Sequence, residues 1–141
     1  MEMDTNQIII VRGGGDMATA VIHRLWRAGF CVLALETDSP SAIRRQVAIS
    51  EAVYDGKATV EGMTAMRIVD PAACDVVWSA GHVPLLVDPK GLSIAQLKPA
   101  VVVDAMIAKR NLGMHIRMAP LTIGLGPGFT AGQDVHAVIE T

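Results

Sequence analysis

Three consecutive glycines, Gly13, Gly14 and Gly15, join the apolar stretch "QIIIV" (7–11) to a helix-patterned segment starting at Met17. Such a corner can do chemistry. Without Cβ atoms the backbone approaches a ligand closely, and unpaired amides at a helix start attract an anionic group such as phosphate. Gly13-Gly14-Gly15-Asp16-Met17-Ala18 fits G-x-G-x-x-G/A with a strand before it and a helix after it, the context in which the pattern binds dinucleotides. Glu36 follows about 20 residues later at a strand end, where a carboxylate accepts hydrogen bonds from ribose hydroxyls. Asp16 works in the opposite sense. Its carboxylate competes for the same amides, repels phosphate, and as an N-cap stabilises the helix by about 1 kcal/mol with no ligand at all. Two readings stand side by side: a cradle for cofactor phosphates, or a corner that packs helix on strand.

Other polar residues fall where an α/β fold places its sites, at the carboxyl ends of strands. Asp88 and Asp104 each end a predicted strand, and Lys109, Arg110 and Asn111 lie just beyond Asp104, a setting for an anion or for ordinary solvated loops. A second glycine-rich loop, "GLGPGFTAG" (124–132), carries Gly126, Gly128 and the Thr130 hydroxyl. Leaving a neighbouring strand, it would face the same crevice as the first loop; otherwise it is a bulge and turn before the last strand. Arg44 and Arg45 can reach a phosphate or carboxylate, or divide between water and apolar surface. Cys31 reads as core, and Cys74 lies in a helix first turn that lowers a thiol pKa while Asp70 and Asp75 oppose the shift. The four histidines share no metal-ligand spacing, and no nucleophile motif or acid–base pair is visible.

The elements that must position these residues follow from periodicity. "QIIIV" is a continuous β-branched run, as in a strand covered on both faces. From Met17 to Ala28, Ala18, Val21, Ile22 and Leu25 recur at helical spacing with Thr19, His23, Arg24 and Arg27 opposite, and Asp16 is the expected cap. "FCVLALE" (30–36) returns as a strand, giving a βαβ unit with a right-handed crossover. Downstream, the pattern predicts a helix over 40–56, strand with a turn at Glu61-Gly62 over 57–70, and a helix over 70–81 capped by Asp70 with Pro71 first. Strands over 83–88, 100–106, 120–126 and 134–141 and a short helix over 93–99 complete the chain. The expected architecture is α/β: a Rossmann-like, doubly wound, mainly parallel sheet with helices on both faces, in a single domain over 1–141.

Composition agrees with that expectation. The 141 residues suffice for one core that buries roughly two-thirds of the unfolded surface. Hydrophobic residues at 51% against 18% charged, with a mean hydropathy of +0.40, exclude a disordered chain and leave apolar surface for a subunit contact. A net charge of −2 with dispersed basic residues gives no field for nucleic acid or an anionic membrane. No apolar run approaches the roughly 20 residues of a bilayer span, and "MEMDTNQ" is unlike a signal peptide, so the expected location is cytoplasmic.

Four blocks, "VRGGGDMATAVIHRLWRAGF", "AIRRQVAISEAVYDGKATVEG", "VVVDAMIAKRNLG" and "APLTIGLGPGFTAGQDVHAVIET", together resemble the YqeB family, accessory proteins of selenium-dependent molybdenum hydroxylase systems. The resemblance implies a role beside a molybdenum hydroxylase, in maturing, inserting or protecting a molybdopterin-type cofactor that bears a labile sulfur or selenium ligand. It carries over no catalytic residue. Family members have alanine at the position of Gly14 and leucine at that of Met17, and they continue past the "VHAVIET" block into a second region. The chain thus resembles the N-terminal part of a longer protein, and a strand left at its terminus predicts a partner edge and a homo-oligomer. Three functions follow from these residues: an accessory protein binding a molybdopterin-type or other phosphorylated cofactor, an NAD(P)-dependent oxidoreductase suggested by Gly13, Gly15, Ala18 and Glu36, or a non-catalytic protein-interaction module.

Overall fold

The computed structural model describes residues 7–42 and 44–141; the N-terminal segment 1–6 and Ile43, inside the 40–56 segment, lie outside the described residues. In chain order the elements are β1 (Ile8–Arg12), α1 (Asp16–Arg27), β2 (Cys31–Glu36), α2 (Ala52–Asp55), β3 (Lys57–Val60), β4 (Met63–Ile68), α3 (Cys74–Ser79), β5 (Val83–Val87), α4 (Leu92–Leu97), β6 (Val101–Asp104), β7 (Leu121–Leu125) and β8 (Ala137–Ile139). The eight strands form one sheet in the order β3-β4-β5-β2-β1-β6-β7-β8. Every pairing is parallel except the β3–β4 hairpin, whose turn falls at Glu61-Gly62 as the sequence predicts.

The β-branched runs are apolar throughout because the sheet is covered on both sides. Ile9, Val11, Val32, Ala34, Val101 and Val103 pack with Ala18 and Ile22 of α1 and with Ala52 and Val53 of α2. The alternate residues Ile10, Leu33, Leu35 and Val102 pack on the opposite side with Cys74 of α3 and Ile94 of α4. From β1 the chain steps outward through β2 and the β3–β5 group, then returns to β6 on the other flank of β1. The glycine corner after β1 and the segment after β6 therefore leave adjacent strands at the same end of the sheet, with Arg12 opposite Asp104 in register.

Four local expectations need correction. Asp16 is the first residue of α1 and not its cap; Gly15 occupies the cap position, with extended backbone and no side-chain hydrogen bond. Thr19, expected on the polar side of α1, is buried. The continuous helix over 40–56 gives way to 3-10 turns at Arg45–Val47 and Ile49–Glu51 and the single turn of α2, interrupted by extended Ala48. The cause is competition for amides: Ile49 N–H donates to Thr19 Oγ1 at 3.0 Å and Ser50 N–H to the Gly14 carbonyl at 2.8 Å. Cys31, expected in the core, is half-buried at the start of β2. Asp70 is a cap as expected, accepting from Ala72 N–H at 2.9 Å with Pro71 following, but it caps a 3-10 turn at Pro71–Ala73 that leads into α3. Among the described residues no helix is long and apolar enough to cross a membrane.

Candidate functional site

The glycine corner is built by close approach. Gly13 has φ +118, and a Cβ there would lie 3.2 Å from the Ala105 carbonyl oxygen, so only glycine lets β1 turn against the segment that follows β6. Its N–H donates to the Leu35 carbonyl at 2.7 Å, extending the β1–β2 ladder into the loop. The first helical hydrogen bond of α1 runs from Thr19 N–H to the Gly15 carbonyl at 2.8 Å. The amides of Gly15, Asp16, Met17 and Ala18 therefore have no acceptor within the helix. Among the described residues no side chain caps them either, so the Asp16 carboxylate does not close the helix start on itself.

Gly14 is the fastening point. Its N–H donates to Glu36 Oε2 at 2.8 Å, while Glu36 Oε1 accepts Thr37 N–H at 2.8 Å. Its carbonyl accepts Ser50 N–H at 2.8 Å and the Thr19 hydroxyl at 3.2 Å. Glu36 stands at the end of β2 next to the glycine corner, the position from which the sequence reading has it meet ribose hydroxyls.

These parts surround a cavity of about 510 Å³, lined by residues 13–18, Glu36 and Thr37, residues 39–42, Ser50 and residues 105–107. That volume falls in the ordinary range for small-molecule sites. Among the described residues two carboxylates, Asp16 and Glu36, line it, and no lysine or arginine does. Negative charge on a ligand must accordingly meet backbone amides and hydroxyls, aided by the positive end of the α1 dipole.

The remaining sequence candidates lie elsewhere. Lys109 and Arg110 are exposed and outside the cavity lining. Gly128 makes room for protein and not for ligand: a Cβ there would sit 2.8 Å from Arg110 Cα. Gly126 likewise faces Ile107, and Thr130 N–H donates to Asp134 Oδ2 at 2.9 Å, so the second glycine loop packs on the segment after β6. Asp104 is buried beside Arg12. Arg12 Nη2 donates to the Pro89 and Leu112 carbonyls, each at 3.1 Å, and Asp104 Oδ1 accepts Met106 N–H at 3.1 Å. Arg12 Nη1 and Asp104 Oδ2 face each other at 4.0 Å, and neither has a hydrogen-bond partner. Burial pushes the Asp104 carboxyl above its usual value, against the opposing pull of Met106 N–H and the Arg12 charge.

Asp88 behaves in the opposite way. Burial alone would raise it, but the Ser93 hydroxyl, the Ser93 and Leu92 amides and the Arg12 charge together hold it below the usual carboxylate range. Arg45 pairs with Glu51 at 2.6 Å and is turned away from the glycine corner's lining. The Cys74 thiol is pushed up to about 11 by burial and then by Asp75, which keeps it protonated and unreactive at neutral pH. Among the described residues no group of three histidine, cysteine, aspartate or glutamate side chains is placed to hold a metal ion.

Comparison with known proteins adds one relative. The chain is 50% identical over 136 residues to a protein of Escherichia coli strain K12 described as "Uncharacterized protein YqeB". This identity agrees with the resemblance to YqeB carried by the four sequence blocks. The match takes in 96% of this chain and 25% of that protein, so the chain spans about a quarter of its relative's length. No family model matches the chain, and no solved structure matches it.

Ser50 is among the cavity residues that sequence reasoning missed, together with Thr37, residues 39–42 and residues 105–107. It sits in a segment patterned as helix, and nothing in its neighbours signals that two amides there are claimed by Gly14 and Thr19. Arg12 was missed for a related reason, since an arginine closing an apolar run reads as a surface residue and here is 2% exposed.

Proposed function

We propose that the chain is the cofactor-binding part of an accessory protein that serves a molybdenum hydroxylase, taking a molybdopterin-type or related phosphorylated cofactor at the glycine corner. The fold is read as Rossmann-like and doubly wound, because connections reverse direction between β1 and β6, and α1 and α2 cover one face of the sheet while α3 and α4 cover the other. One observation carries the reading: four helix-start amides, uncapped by any side chain of the described residues, border a cavity of about 510 Å³ with Glu36 at its edge. The hydroxylase role rests on the YqeB resemblance. A cytoplasmic setting and a homo-oligomer belong to the same proposal.

Glu36 at the end of β2 also favours a second reading, an NAD(P)-dependent oxidoreductase, since that carboxylate suits a ribose diol. Isothermal titration of the chain with a pterin dinucleotide, NAD and NADP separates the two. Heat with the pterin dinucleotide alone supports the accessory role, and heat with NAD or NADP supports the oxidoreductase. No heat from any of them at millimolar concentration refutes both and leaves the corner as a packing device.

A further inference from the structure

Gly14 occupies the middle of the glycine corner, yet its amide is already spent on Glu36 Oε2 and its carbonyl on Ser50 N–H and the Thr19 hydroxyl. A phosphate entering the cavity would find one backbone donor fewer than the loop's sequence promises. Beside that gap stands Ser50. The residue is 1% exposed and lines the cavity, and its Oγ is buried without a hydrogen-bond partner. Buried hydroxyls are nearly always satisfied, because leaving one unpaired is costly. Thr19, whose hydroxyl is fastened to Gly14, shows the ordinary outcome: it donates to the Gly14 carbonyl and accepts Ile49 N–H.

We infer that the Ser50 hydroxyl is a ligand-directed donor that takes the place of the Gly14 amide, binding a phosphate oxygen of the cofactor alongside the amides of Gly15–Ala18. The assignment rests on the cofactor reading above and adds a residue to it. It also fits the charge of the site, where no basic side chain lines the cavity and neutral donors must hold the anion.

The test is Ser50→Ala in the whole chain, read in two ways. Without ligand, the variant's melting temperature is expected to equal or exceed that of the parent, because an unsatisfied buried hydroxyl is removed. In titrations with inorganic pyrophosphate and with ADP, its affinity is expected to fall by about ten- to a hundredfold, the loss of one hydrogen bond to a charged group. A ligand-free melting temperature several degrees lower would make Ser50 a structural residue and overturn the assignment. Parent-like affinity in the variant would overturn it while leaving the cofactor reading intact. Failure of the parent protein to bind either probe or any cofactor above would sink both together.

Discussion

Replacing Arg12 by leucine tests how the strand ends beside the cavity are held. Arg12 is 2% exposed, and its Nη2 supports the Pro89 and Leu112 carbonyls while Nη1 faces Asp104 Oδ2. Leucine removes both hydrogen bonds and leaves the buried Asp104 carboxylate with no counter-charge. Breaking a buried pair from one side costs about 3–5 kcal/mol. The companion Asp104→Asn keeps an acceptor for Met106 N–H but carries no charge, so the double variant is expected to recover at least about 1 kcal/mol of that loss. Urea unfolding followed by fluorescence of Trp26 and Trp78 reads the cycle; Trp78 is half-buried, with its Nε1 donating to the Val32 carbonyl at 2.9 Å. The same variants read the pH dependence. Asp104 has its folded pKa above the usual 3.8, so in the window between them the folded state binds more protons and stability falls as pH rises. Asp104→Asn should abolish that fall. A cost for Arg12→Leu below about 1 kcal/mol, or additive single and double variants within about 0.5 kcal/mol, would refute the reasoning.

The glycines of the corner should differ in tolerance. Gly13→Ala, which combines φ +118 with a contact at 3.2 Å to Ala105, is expected to cost about 2 kcal/mol or more in chemical denaturation. Gly14→Ala meets only Glu36 Oε2 and the Ser50 backbone at 3.1–3.3 Å with no positive φ, so its cost should stay near 1 kcal/mol, in keeping with the alanine that the YqeB resemblance places there. Equal costs would contradict the geometry. For Asp88, the lowered folded pKa means its contribution is complete above the usual 3.8 and is lost as pH falls through the folded value. Asp88→Asn should therefore cost about 1–2 kcal/mol at neutral pH and lose less than the parent on acidification; an unchanged acid profile would count against the hydrogen bonds drawn at α4.

The sequence makes legible what depends on local pattern. Ile8–Val11 and Cys31–Leu35 read as buried strands because continuous β-branched and aliphatic runs survive only where both faces are covered. The hairpin turn and the Asp70 cap are similarly local. The 44–56 segment was not legible, because its helical periodicity is overridden by long-range bonds from Ile49 and Ser50 to α1 and Gly14. At the candidate site, the glycines and Glu36 are visible from spacing alone. Their mutual hydrogen bond is not, since it depends on the register of β1 beside β2, nor is the burial of Ser50, which depends on the 48–50 segment folding back across the corner. The second glycine loop shows the limit of composition: Gly126 and Gly128 look like ligand-facing positions and instead admit the Ile107 side chain and the Arg110 backbone.

Gly14 ties together stretches of chain that are 22 and 36 residues downstream, at Glu36 and Ser50. A corner so anchored is rigid before any guest arrives. For the cofactor proposed above, the ordering entropy that mobile phosphate loops surrender on association would already have been met during folding, which would favour rapid capture over slow induced closure. Substitutions in the 48–50 stretch should consequently register as altered residence time of whatever the corner holds, even where they touch nothing but the main chain of Gly14.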